Sequence, residues 1–135
     1  DEVALSAALP VQTRWQVYHN DDHGAVTAEA AAFTITRPHA SLHATLAAAG
    51  AFTVRTDRLP LPTDGGIYPF AEVVSAPALS HLLLTVCTAC PAGDGHGALA
   101  LRRTTAGWQI SGSHRGLKVD VGLDFSVAAP PAVRL

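Results

Sequence analysis

Apolar and polar residues alternate along most of this chain with a period of two. The longest such run lies near the C-terminus, where Leu117, Val119, Val121, Leu123, Phe125 and Val127 interleave with Lys118, Asp120, Gly122, Asp124 and Ser126. Successive side chains of a strand point to opposite faces, so this run predicts a long strand with one buried face. Before it, Leu99 and Leu101 precede Thr105-Ala106-Gly107, and Trp108 and Ile110 then alternate with Gln109 and Ser111. The spacing predicts a hairpin, followed by a second reversal at Ser113-His114-Arg115-Gly116 and an antiparallel meander over the last third.

The same alternation predicts strands over Val11–His19, Phe52–Asp57, Ile67–Ser75 and Ser80–Thr88. Turn formers bound them at Asn20-Asp21-Asp22-His23-Gly24, at Thr63-Asp64-Gly65-Gly66 and at Pro77. Leu82, Leu83, Leu84 and Val86 are apolar on both faces, as in a strand covered on both sides. Between Ala25 and Gly50 the alanines satisfy either period. Leu42, Ala44, Leu46 and Ala48 alternate with Ser41, His43, Thr45 and Ala47, and Thr34-Ile35-Thr36 is β-prone, which favours strands; caps at Asp22 and Ser41 leave room for one short helix within 25–50. The expectation is therefore an all-β protein, an antiparallel barrel or two-sheet sandwich of about eight or nine strands. It is read as a single domain over 1–135, with an N-terminal arm at 1–10 and a C-terminal tail at 128–135 after Pro130-Pro131.

Composition narrows the function classes. Charged residues make up 15% of the chain and the formal charge is −2, with nine lysines and arginines scattered along it, so there is no basic stripe to track phosphates and nucleic acid is not an expected partner. No apolar window reaches the roughly 18 residues of a membrane-spanning helix. The low charge, a first residue that is not methionine and an even pair of cysteines together favour export, periplasmic or extracellular, with a Cys87–Cys90 disulfide.

Candidate chemistry is sparse. His81, Cys87, Cys90 and His96 carry donors suited to zinc or copper, yet Cys87-Thr-Ala-Cys90 is only half of a four-ligand site. His19/His23 and His39/His43 have four-residue spacing but lack the glutamate of the zinc-protease helix. Glu29 and Glu72 sit inside apolar runs, and with Tyr68 and His81 they would line a barrel cavity, where a raised carboxyl pKa suits acid-base work. No nucleophile elbow, phosphate loop or dinucleotide fingerprint is present.

Three functions follow as expectations. The first is a non-catalytic binding or interaction domain on a β scaffold, pairing with a protein partner or with copies of itself as a homo-oligomer or subunit of a larger assembly. The alternatives are a small β-barrel enzyme or carrier for an apolar small molecule, with Glu29, Glu72 and His81 as its catalytic candidates, and a Cys/His metal-binding protein.

Overall fold

A computed structural model describes residues 1–17, 23–60, 67–125 and 132–134. The turns expected at Asn20–Asp22 and Thr63–Gly66, together with His19, Val127 and Pro130-Pro131, lie outside the described residues. The described chain is all strand and turn, arranged in three antiparallel sheets. It divides into two compact units, Asp1–Asp94 and Gly95–Leu135.

The first unit holds eight strands: β1 (Glu2–Leu9), β2 (Gln12–Gln16), β3 (Ala25–Glu29), β4 (Ala32–Thr36), β5 (Ala40–Ala48), β6 (Phe52–Pro60), β7 (Ile67–Ser75) and β8 (Ala78–Pro91). They form a five-stranded sheet in the order β1-β8-β5-β4-β3 and a three-stranded sheet in the order β2-β7-β6. One face of each sheet is apolar, and these faces meet. Phe33, Ala44 and Leu46 from the larger sheet cluster with Ala71 and Val73 from the smaller, and Trp15 lies against Phe33 with ring centroids 5.0 Å apart. Burial of these side chains supplies most of the driving force, roughly 1.5–3 kcal/mol for each large one.

Region 25–50 is three strands and contains no helix. Its two short reversals, at Ala30-Ala31 and at Pro38-His39, leave no room for a helical turn, and the cross-strand pairs Phe33↔Ala44 and Ile35↔Leu42 put the apolar positions of β4 and β5 on the core face. The expected arm is also a strand. β1 pairs with β8 from Glu2↔Leu82 to Ala4↔Ser80 and again at Leu9↔Ala78, with an irregularity between. The sheets do not close into a barrel: β3 and β6 each have a neighbour on one side only, and they are not paired with each other.

The second unit is the meander read from the alternation: β9 (Leu99–Arg103), β10 (Gly107–His114), β11 (Leu117–Asp124) and β12 (Ala132–Arg134), in the order β12-β11-β10-β9. β12 occupies the expected tail. Between β10 and β11 the two turn residues Arg115 and Gly116 both have positive φ, 50° and 78°, the geometry whose twist matches a two-residue hairpin. Gly112, inside β10, has φ 144°, and a Cβ there would lie 2.0 Å from the Ala98 carbonyl oxygen. Gly112→Ala is therefore expected to lower stability by about 2–4 kcal/mol, the cost of backbone strain combined with a clash. Urea unfolding followed through Trp108 fluorescence in a Trp15→Phe background measures this; a loss under about 0.5 kcal/mol, the ordinary range of surface substitutions, would contradict it.

Candidate functional site

Glu72 stands at the centre of the three-stranded sheet, and the register sets its partners. Arg14 of β2 and Arg55 of β6 are its direct cross-strand neighbours, one on each side. Arg14 Nε donates to Glu72 Oε1 at 2.6 Å and Arg55 Nε donates to Oε2 at 2.5 Å, so each carboxylate oxygen has its own guanidinium. The carboxylate is fully buried, but its roof is thin, since the Arg14 and Arg55 side chains that cover it are 45% and 57% exposed. Arg14 also lies over the Phe70 ring, 4.9 Å from its centroid. Loss of water around Glu72 opposes ionisation. The two arginine hydrogen bonds and their charges outweigh it, and the net effect holds the carboxyl below the ordinary glutamate value. A raised pKa is thus replaced by a lowered one, and Glu72 is a carboxylate bound to its neighbours, with no proton to give at neutral pH.

His81 lies where the chain passes twice between the two sheets, at Leu9-Pro10-Val11 and at Ser75-Ala76-Pro77-Ala78. Its Nε2 faces the carbonyl oxygens of Leu9 and Ala78, at 3.0 and 3.1 Å. Carbonyls only accept, so Nε2 carries a hydrogen; Nδ1 lies 2.8 Å from the Ser75 hydroxyl, which is also placed to donate to Val11 O at 3.3 Å. Val11 N–H donates to Ser75 Oγ at 2.9 Å. A hydroxyl against an imidazole nitrogen is the beginning of a nucleophile-and-base pair. The rest is missing: the neighbouring main-chain donors of Val11, Ser75 and Ala76 are spent on Ser75 Oγ, Val11 O and Ala51 O, leaving none for an oxyanion. The adjoining apolar cavity, lined by Val11, Phe52, Ser75, His81 and Leu83 among others, measures about 50 Å³. Neither Glu29, Glu72 nor Tyr68 lines it.

Cys87 and Cys90 are both thiols, and the expected disulfide is absent. The reason is the strand itself. Three residues apart on β8 they point to opposite faces, and an extended chain separates them by about 10 Å, beyond the reach of a disulfide. Cys90 is buried beside Ser41 Oγ at 3.4 Å, whereas Cys87 is exposed, and partial burial pushes its thiol pKa up. Export is thereby left without support from the cysteines. Glu29 is exposed at the end of β3, remote in register from Glu72, and His96 belongs to the second unit. Among the described residues no three histidine, cysteine or acidic side chains converge in a way that could hold a metal ion.

A larger recess lies where β3 and β6 run along the same side of the first unit. Gly24, Ala25 and Val26 form one wall, Thr56, Asp57 and Arg58 the other and Pro69 the floor, around a groove of about 380 Å³. Strand parity sets what these walls present. On β6, Ala51 O is bonded toward β7, so the odd-numbered residues pair inward and the N–H and C=O of Val54, Thr56 and Arg58 face outward. Arg58 N–H is taken by Asp57 Oδ1 at 2.8 Å. The same reasoning turns the main chain of Val26 and Ala28 outward on β3. Asp57, Arg58, Ser75 and the two arginines on Glu72 were not among the residues singled out from the sequence, because their roles depend on strand pairing that brings Arg14 and Arg55 to Glu72, and Val11 to Ser75, from distant parts of the chain.

Compared with known proteins, the chain matches no family model, no curated protein and no solved structure.

Removing the Glu72 charge should leave two guanidiniums facing each other across one strand. Glu72→Gln is expected to cost about 1–3 kcal/mol, discounted from the figure for a deeply buried pair because the arginines are half in water. A group with a depressed folded pKa stabilises above its unfolded pKa and loses that contribution as pH falls through the folded value. The gap between wild type and Glu72→Gln in urea unfolding should accordingly be full at pH 7 and close at acid pH, below the ordinary glutamate range; a gap independent of pH would refute this account.

Proposed function

We propose that this chain is a non-catalytic, exported interaction domain in which residues 1–94 form an open two-sheet β-sandwich, and that it holds an extended segment of a protein partner at the β3/β6 groove. The observation that carries this reading is the groove: at about 380 Å³ it falls in the range of roughly 300–1,000 Å³ typical of ligand sites, and along it β3 and β6 have no neighbouring strand on that side among the described residues, beside an acidic and a basic side chain. An extended peptide satisfies such an edge through its own main chain, while Asp57 and Arg58 favour opposite charges on it. The groove lies toward the end of the first unit at which β3 begins and β6 ends. Carriage of an apolar molecule is supported less well, because the apolar cavity is several times smaller than a drug-sized ligand requires.

Panning a random peptide library against the immobilised full chain tests this. Selected peptides are expected to lose about tenfold or more in affinity, some 1.4 kcal/mol, on Thr56→Trp, which fills the groove from an exposed position. Peptides that bind the folded Thr56→Trp variant as tightly as wild type would place the binding surface elsewhere.

A further inference from the structure

At one end of the first unit the chain turns three times without a charge. Leu9-Pro10 leads from β1 to β2, residues 49–51 lead from β5 to β6, and Ala76-Pro77 leads from β7 to β8. The pairings put all three at the same end: Leu9 lies opposite Ala78, Ala49 N–H bonds to the Leu82 carbonyl, and Ala76 N–H bonds to the Ala51 carbonyl. Every residue of the three turns is exposed, and Leu79, beside them on β8, exposes 58% of its surface against 55% for Leu9. No aspartate, glutamate, lysine or arginine occurs in 3–13, 41–54 or 73–86, the stretches that run into and out of these turns.

The two crossings between the sheets also offer no donor to a partner. In 10–11 and 75–77 each N–H is bonded or missing: Val11 donates to Ser75 Oγ, Ser75 to the Val11 carbonyl and Ala76 to the Ala51 carbonyl, while Pro10 and Pro77 have none. His81 Nε2 lies against the carbonyls of Leu9 and Ala78. Polar groups already paired inside the chain lose little when water leaves, which is the condition that hydrocarbon imposes on any backbone it meets. A charged partner finds no counter-charge here. Three short turns and one further leucine are also fewer than the roughly 20–30 residues that a standard protein interface uses on each side. A lipid surface needs neither donors, charges nor a matched contour.

We propose that this end of the first unit rests on the surface of a neutral lipid bilayer, with Leu9 and Leu79 entering the boundary between headgroups and acyl chains and the three turns at headgroup level. The absence of lysine and arginine around the turns selects neutral over anionic lipid, because basic side chains supply the attraction to anionic headgroups. Two leucines, each about half exposed, offer less apolar surface than a myristoyl chain, whose own binding constant is only about 10⁴ M⁻¹, so the contact is weak and reversible. It is independent of the β3/β6 groove and leaves it free, since β6 begins at this end and meets the groove toward its other.

The test is co-sedimentation of the full chain with phosphatidylcholine vesicles, titrated from about 0.1 to about 10 mM lipid, a range that brackets binding at and below myristoyl strength. Binding is expected, unchanged in about 0.5 M salt, which screens exposed charges beyond about 4 Å, and no stronger when phosphatidylserine replaces about a third of the lipid. Leu9→Ser and Leu79→Ser should each weaken it about fivefold through lost apolar area and together abolish it. Leu117→Ser, at an exposed leucine of the second unit, should leave it unchanged. All three changes are at exposed positions, so urea midpoints should stay at the wild-type value, which separates lost binding from lost fold. No sedimentation at the highest lipid, binding that needs phosphatidylserine or vanishes in salt, or Leu117→Ser as damaging as Leu9→Ser would overturn the proposal. So would self-association that Leu9→Ser and Leu79→Ser remove while vesicles fail to bind, an outcome that assigns this end to a protein contact.

Discussion

The arrangement of the first unit depends on the corner at His81. Two chain crossings between the facing sheets meet there, one leading from β1 to β2 and one from β7 to β8, and the imidazole bonds to both: through Nε2 to the Leu9 and Ala78 carbonyls and through Nδ1 to Ser75, which in turn holds Val11. Because both crossings are fixed at one point, β1 is brought beside β8 in one sheet and β2 beside β7 in the other. The strand order on both layers follows. A ring with a nitrogen on each side suits a place where two carbonyls and a hydroxyl converge, and buried polar groups left without such partners would each cost roughly 1–3 kcal/mol.

Tying the layers together on that side leaves the opposite side open. β3 and β6 end their sheets there with outward main-chain groups, and the groove between them is the most spacious recess described. The opening goes with a mismatch in strand count, the eight described strands being split five and three. On the proposed reading the interaction surface comes from the main chain, which fits the scarcity of side chains that stand out as chemical.

Much of the strand content was legible from alternation alone, including the meander of the second unit with its Arg115-Gly116 reversal and the strand over Ser80–Thr88, whose Leu82, Leu83, Leu84 and Val86 are nevertheless half-buried and not covered on both faces. Glu2–Leu9 was not, because its small residues make a weak pattern and its pairing with β8 joins residues some eighty positions apart. The candidate sites fared in the same way. Glu72 stood out as an acid in an apolar run, but its role depends on Arg14 and Arg55, which are unremarkable polar positions in their own strands until the register sets them beside it. The cysteine spacing carried its own answer: an odd interval on a strand separates two side chains, and reading Cys87 and Cys90 as extended excludes the bridge that their closeness in sequence suggests.

Glu72 also bears on how the three-stranded sheet reaches its alignment. Were β2 or β6 to dock one position out of step, its arginine would swing to the core side; two positions out, Gln12 or Gln16 of β2, or Thr53 or Asp57 of β6, would stand opposite the carboxylate in the arginine's place. Each such misalignment takes one of its two guanidiniums from the buried carboxylate, and a one-position slip also turns that arginine toward the apolar core. Misaligned sheets would therefore be short-lived. The Arg14–Glu72–Arg55 row thus disfavours wrong alignments more strongly than β8 can, since β8 carries no lysine, arginine or carboxylate along its length.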